Sequence, residues 1–191
     1  MNMTLDFIVN KILFWLLIGM IGLEVWNLVF HRGVTNLPTS SAIRAKMIEL
    51  LRADKDKRSL SPYTIVDVGS GNGALTRAIA RAIPDAKIVG LEYSPLSVAW
   101  SNLIRKLKRL NNLSYRRMDF MRYDFAEPDA ITTFLLPGVM YPLSKKFTDE
   151  TKPGTVIVAN TFPLHGDWKP EETFHVKTFP PPQGKVFLYR K

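Results

Sequence analysis

Three carboxylates end three successive apolar, β-rich runs of this 191-residue chain: Asp67, Glu92 and Asp119. Asp67 stands two positions before glycines at every second residue, Gly69, Gly71 and Gly73, with Ser70 inside the run. A strand that ends in such a turn and opens a helix gathers backbone N–H groups and a helix N-terminus at one point. That geometry suits nucleotide-like ligands. The hexapeptide GSGNGA fits the dinucleotide pattern G-x-G-x-x-A, which by itself is a weak signal. Asp67 discriminates between ligands: an acid aimed at the turn repels a pyrophosphate and attracts an ammonium group. S-adenosylmethionine carries an ammonium group and no phosphate, so these residues favour it over NAD. Glu92 can accept both ribose hydroxyls, with Tyr93 beside it. Asp119 is placed to accept from the adenine amino group, and Phe120 to pack on the ring. Three acids at three successive strand ends, all on the C-terminal edge of one sheet, form a single site.

The elements that must position these residues alternate. Strands are expected at Tyr63–Val68, Lys87–Glu92, Leu113–Met118, Ile131–Leu136, Thr155–Phe162, Thr173–Phe179 and Lys185–Tyr189. Helices are expected at Ala42–Ala53, Gly73–Ile83, Pro95–Leu110 and roughly Met140–Glu150, with Ser40 or Ser41 capping the first. The polar stretch DKDKRSLSP reads as a loop. This alternation predicts an α/β fold with a mostly parallel sheet covered on both faces. The last two strands are joined by too short a connection for a parallel crossover, so they must pair antiparallel. In Pro95–Leu110, Leu103, Leu107 and Leu110 are expected to face the sheet. Arg105, Lys106, Lys108 and Arg109 would then face out, as a solvated basic face or as a contact for anionic lipid headgroups.

Composition narrows the partners. A formal net charge of +9 favours acidic ones. There is no cysteine, which excludes disulfides, a thiol nucleophile and thiolate metal sites. His31, His165 and His175 are scattered without zinc-ligand spacing, so no metal is expected. From Leu5 to Phe30 the chain is strongly apolar, and Ile12 to Leu23 carries no charge. A bilayer span needs about 20 such residues. Residues 1–31 are therefore read as a membrane-anchor helix, spanning or lying in the interface, ahead of a catalytic domain at 32–191. Glu24 is costly in lipid unless near the end or paired, while Lys11 can snorkel and Trp15 and Trp26 can sit near the interfaces. The excess of cations after the apolar segment puts the C-terminal domain on the cytoplasmic side if the segment spans. The expected partners are a membrane and a protein substrate, with membrane proteins among the candidates. No nucleic acid is expected, and oligomeric state is unknown.

The stretches VDVGSGNG, VGLEYSP and MDF resemble class I S-adenosylmethionine-dependent methyltransferases. NLPTSSAIRAKMIELL, IVGLEYSPLSVAWSN and TFLLPGVMYPLSKKF, with GTVIVANTFPLHGDW, are similar to the membrane-anchored protein-lysine methyltransferases. Those enzymes act on the ATP synthase c-subunit and the adenine nucleotide translocase. The likeness runs from about Leu37 to Tyr189. Where that family tends to have an acid followed by Gly-Arg, this chain has Asn72-Gly73-Ala74. The resemblance implies a Rossmann-like, seven-stranded sheet with an antiparallel last strand, S-adenosylmethionine as cofactor, and transfer of methyl groups to lysine.

Methyl transfer from an activated sulfonium is a matter of positioning and desolvation, so no catalytic residue is required. Leu136 and Pro137 are expected to line the acceptor pocket, with Gly138. Pro38 and Thr39 would close it from above, and Phe162, His165 and Trp168 would form a third wall. His165 is read as a hydrogen-bonding residue or a base, and Tyr141 as an acceptor contact or a packing residue. The competing function is methylation of a lipid or a hydrophobic small molecule such as a quinone precursor. A binding module without turnover and an NAD-dependent reductase are the remaining classes.

Overall fold

A computed structural model describes residues 3–30, 39–58, 62–177 and 184–191, with side chains of the first segment described from 7 to 22. The chain divides into two compact units, Met1–Thr35 and Asn36–Lys191. The first holds one helix, α1 (Met3–Phe30). Its large apolar side chains from Phe7 to Ile21 are exposed. Among the described residues, no helix is long and apolar enough to cross a membrane.

The second unit is a seven-stranded sheet in the order β3-β2-β1-β4-β5-β7-β6. The strands are β1 (Tyr63–Val68), β2 (Ala86–Glu92), β3 (Leu113–Arg117), β4 (Ala130–Thr133), β5 (Val156–Asn160), β6 (Glu172–His175) and β7 (Lys185–Arg190). The first five pair in parallel, and β7 is antiparallel to both β5 and β6. The expected α/β fold with an antiparallel last strand is present. Strand order reverses between β1 and β4, the place where open α/β sheets bind ligands.

Helices α2 (Ser41–Arg58), α3 (Ala74–Ala82) and α4 (Pro95–Leu107) cover one face. Ile43, Met47, Leu51, Ile65, Ile79 and Ile88 form the core there. Strand alternation turns Val66, Ile131 and Ile157 to the other face. On that side α5 (Pro137–Glu150) buries Met140, Leu143 and Phe147. Phe125 and Phe147 meet edge to face with ring centroids 4.9 Å apart.

Four expectations are corrected. The stretch from Asp54 to Arg58 is not loop but the end of α2. Asp54 is buried, accepts from the Tyr63 hydroxyl at 2.6 Å, and pairs with Arg58 and Arg190 at 2.9 Å each. A buried carboxylate needs such partners, and the helix continues to supply Arg58. Second, α5 starts at Pro137 rather than Met140, because proline is pre-set for a first helical turn. The fourth strand accordingly ends at Thr133, not Leu136.

Third, α4 stops at Leu107: Arg109 takes a left-handed φ of 52° and Leu110 N–H turns back to Arg105 O. Fourth, α4 is rotated from the expected orientation. Leu103 and Leu107 are exposed, Ser101 is the buried residue of the helix and the Arg105 Nε is buried, while Leu110 beyond its end is buried and Lys106, Lys108 and Arg109 are exposed as expected. A small side chain lets the helix approach the turn, and Ser101 Oγ comes within 3.5 Å of Gly71 O. The expected residues Pro38 and 178–179 lie outside the described residues.

Candidate functional site

The site grows from the β1–α3 turn at the reversal point. Gly69, Gly71 and Gly73 have φ of 73°, 53° and 76°, a region that L side chains rarely adopt. Space excludes a side chain as well. A Cβ on Gly69 would lie 2.7 Å from Leu135 Cδ2, and one on Gly73 would collide with the Tyr115 hydroxyl. Gly69 N–H and Ser70 N–H both donate to Leu91 O, at 3.0 and 2.9 Å, pinning the turn to β2. Tyr115, from β3, hydrogen-bonds Gly73 O and Thr76 Oγ1. This tyrosine clamp was not foreseen, because nothing local to Tyr115 announces it.

Asp67 is buried, and its described hydrogen-bond partner is Thr132 Oγ1, which donates at 2.8 Å from the neighbouring β4. Burial pushes its carboxyl up to about 7; the Thr132 hydrogen bond opposes the rise and the Glu92 charge adds to it. This carboxyl gains most from a cationic partner. Glu92 is held on both oxygens: Oε2 accepts from Gly71 N–H at 2.9 Å and Oε1 from Ser94 N–H at 2.8 Å. A carboxylate has about four lone-pair positions, so two remain for hydroxyls. Tyr93 follows, half exposed. Asp119 Oδ1 caps a short turn of helix at Phe120–Arg122 by accepting from Met121 N–H at 2.9 Å. Phe120 is half-buried beside it. The three acids thus stand at the ends of three adjacent strands. A cationic, phosphate-free ligand with a ribose and an adenine fits these residues.

The residues expected to line an acceptor pocket lie on the segments after β4 and β5. Leu135 lies against Gly69, which ties the β4 segment to the turn. Leu136 caps α5, half-buried, and Pro137 is exposed at its first position. Thr39 is buried, and its carbonyl accepts from Arg44. Two aromatic pairs stand here. Phe134 stacks on Phe162 at 6.3 Å and 16°, and Tyr141 meets His165 edge to face at 5.9 Å. Trp168 is a strut rather than a wall: its Nε1–H donates to Ser144 O at 3.1 Å and its ring packs on Tyr189. Phe162 is aimed by Thr161, which takes a left-handed φ of 64°. Such strain in a β-branched residue is costly and clusters at functional positions. Phe134 and Thr161 were not foreseen. The first sat inside an expected strand, and a left-handed threonine has no sequence signature. Among the described residues, no group of His, Asp or Glu is arranged to hold a metal.

Residues 67–172, more than half of the chain, match the family model of the ANTKMT methyltransferase domain. The chain belongs to this family. The lysine N-methyltransferase of the ATP synthase c-subunit from Rattus norvegicus is 31% identical over 111 residues, 57% of this chain and 50% of that protein. The release factor glutamine methyltransferase of Aliivibrio fischeri is 28% identical over 94 residues, 49% of this chain and 32% of that protein. The chain thus spans half or less of the length of these curated relatives. Among solved structures, an RNA methyltransferase from Salinibacter ruber in complex with S-adenosyl-L-homocysteine superposes with a TM-score of 0.66 at 27% identity. That match covers 81% of this chain and 93% of the other. The expected family and fold are therefore present, and S-adenosylmethionine is the cofactor that the family and the residues of the turn agree on.

Proposed function

We propose that this family member transfers methyl groups from S-adenosylmethionine to a lysine side chain of a protein, and works at a membrane through α1. The observation that carries the reading is the pairing of a site for a cationic cofactor with an aromatic, apolar acceptor side. Asp67 would hold the cofactor's ammonium, Glu92 its ribose and Asp119 its adenine amino group. The cofactor supplies an activated methyl on a sulfonium. The lysine nitrogen would form a bond to that methyl as the sulfur–carbon bond breaks, with the electron pair left on the sulfur.

The chain's task is to present a lysine without its proton, since an ammonium has no lone pair. Desolvation disfavours the charged amine, and Phe134, Phe162, Leu135 and Leu136 supply the apolar surroundings. The rings of Phe134 and Phe162 also offer faces that attract a methylated ammonium. No side-chain nucleophile is needed. The exposed apolar side chains of α1 support the membrane part of the reading, because an uncovered helix of this kind needs an apolar environment.

The test is incubation of the purified full chain with a membrane fraction and methyl-labelled S-adenosylmethionine, with Asp67→Ala/Glu92→Ala as the control. Label in one or a few protein bands, absent with the control and mapped to lysine by mass spectrometry, supports the reading. Label in the organic extract would replace it with the lipid or quinone alternative.

A further inference from the structure

The rotation of α4 leaves an apolar stripe on the outside of the domain. Leu96, Trp100, Leu103 and Leu107 are 67%, 55%, 49% and 70% exposed. Their spacing of four, three and four residues, at 100° per residue, confines them to an arc of about 60° on the helix. Isolated exposed leucines need no explanation, but four large apolar side chains in one line do. The stretch of chain that carries the stripe has charges of one sign. From Tyr93 to Met118 there is no Asp or Glu, while Arg105, Lys106, Lys108, Arg109, Arg116 and Arg117 all fall in this stretch. All but Arg105 are exposed. None of the five exposed cations has an acidic partner within 4 Å among the described residues.

We propose that the outer face of α4 is a docking surface for an anionic lipid bilayer. The proposal rests on the membrane reading above and adds a second point of contact, on the methyltransferase unit itself. Apolar side chains with Trp on one face and Lys/Arg at the margins is the pattern of helices that lie in a membrane interface. Trp100 suits headgroup depth, and the unpaired cations complement anionic headgroups. A nucleic acid would satisfy the cations but leave Leu96, Leu103 and Leu107 in water, so the leucines decide for lipid. The consequence for the site is orientational. α4 runs back along the sheet from the cofactor edge, with Ser94 at its cap bonded to Glu92. With α4 flat on the bilayer, the strands lie along the surface. The cofactor edge then opens sideways above the bilayer surface, towards lysines that protrude from membrane proteins.

The absence of cysteine allows a clean test. Leu103→Cys, Leu16→Cys on α1 and Lys145→Cys on the exposed part of α5 are each labelled with an environment-sensitive fluorophore in the full chain. Vesicles contain either neutral phosphatidylcholine or added phosphatidylglycerol, with doxyl lipid as quencher. The expected result is a blue shift and quenching at 103 on anionic vesicles only, insertion at 16, and no change at 145. Lys106→Gln/Lys108→Gln/Arg109→Gln should shift the docking equilibrium about a hundredfold towards undocked, about fivefold per cation. It should return the 103 signal to its aqueous value while the signal at 16 persists.

Insertion at 16 with 103 still aqueous overturns the α4 surface and spares the membrane reading. No insertion at either position overturns both. A blue shift at 103 without vesicles would mean that protein covers the stripe, α1 if independent of concentration and a second copy if not. A shift at 103 with added RNA but not with vesicles would assign the face to nucleic acid. Both of these outcomes also overturn the proposal.

Discussion

The two sides of the site are built on different principles. The cofactor side, from β1 to β3, is over-determined. Three glycines take left-handed φ, an added Cβ would clash at two of them, two amides share Leu91 O, and Tyr115 clamps the turn from another strand. The proposed acceptor side is made of ring pairs whose members come mostly from loops, Phe134 with Phe162 and the α5 residue Tyr141 with His165, with a strained Thr161 beside Phe162. A rigid half for the methyl donor and a loop-borne half for the acceptor would be a sensible division under the proposed function. Each experiment below tests whether the two halves separate in this way.

The largest effect is expected from Gly73→Ala. A Cβ there collides with the Tyr115 hydroxyl and lies 2.7 Å from Arg77, at a φ of 76°. Left-handed strain and overpacking together cost about 2–4 kcal/mol, to be read as a lowered urea midpoint. Gly138→Ala, on the acceptor side, has open space around the new Cβ and an ordinary φ, and should shift the midpoint by less than about 0.5 kcal/mol. Equal losses in the two variants would break the contrast.

Next comes the crossed pair Glu92→Ala and Phe162→Ala. Glu92→Ala removes charged hydrogen bonds worth about 1.5–3 kcal/mol, so cofactor Kd by calorimetry should rise about ten- to a hundredfold. Phe162→Ala should leave that Kd within about twofold. It should lower kcat/KM for the acceptor about tenfold, through lost positioning. A large change in cofactor Kd in Phe162→Ala would show that the halves are coupled.

How much of this was legible follows the same division. Asp67, Gly69, Gly71, Gly73 and Glu92 announce themselves because their constraints are local: positive φ, strand ends, a helix opening. Asp54, Phe134 and Tyr115 do not, since their roles depend on partners from distant strands and helices. Residue 54 looked like loop because its partner Arg190 lies 136 positions away. The orientation of α4 was misread for another reason. A periodicity argument sends the most apolar stripe inward, but here the close approach to the glycine turn favours Ser101, and Leu103 and Leu107 go out.

A third effect is pH dependence on the cofactor side. Asp67 titrates near 7 when folded, against an ordinary value of 3.8. Between about pH 4 and 7 the folded cofactor-free protein keeps a proton that the unfolded chain has lost. Stability from this group therefore falls as pH rises across that window. Cofactor binding has the opposite sign, because only ionised Asp67 pairs with the ammonium. Affinity should rise about tenfold per unit below pH 7, and fall again above about 8 as the cofactor's own α-amino group deprotonates. Asp67→Asn should flatten the acid limb. Phe162→Ala should keep it, and losing it there would again break the separation.

The smallest effect sharpens the acceptor side. Asparagine tolerates the left-handed region better than threonine, so Thr161→Asn should stabilise the fold by about 0.5–1 kcal/mol. The strain is useful only if it aims Phe162 at Phe134. A variant that gains stability and loses acceptor kcat/KM, at unchanged cofactor Kd, means that the strain is held for positioning. A gain in stability at full activity means that the turn carries strain without using it, and that the stacked pair is positioned by the rings themselves.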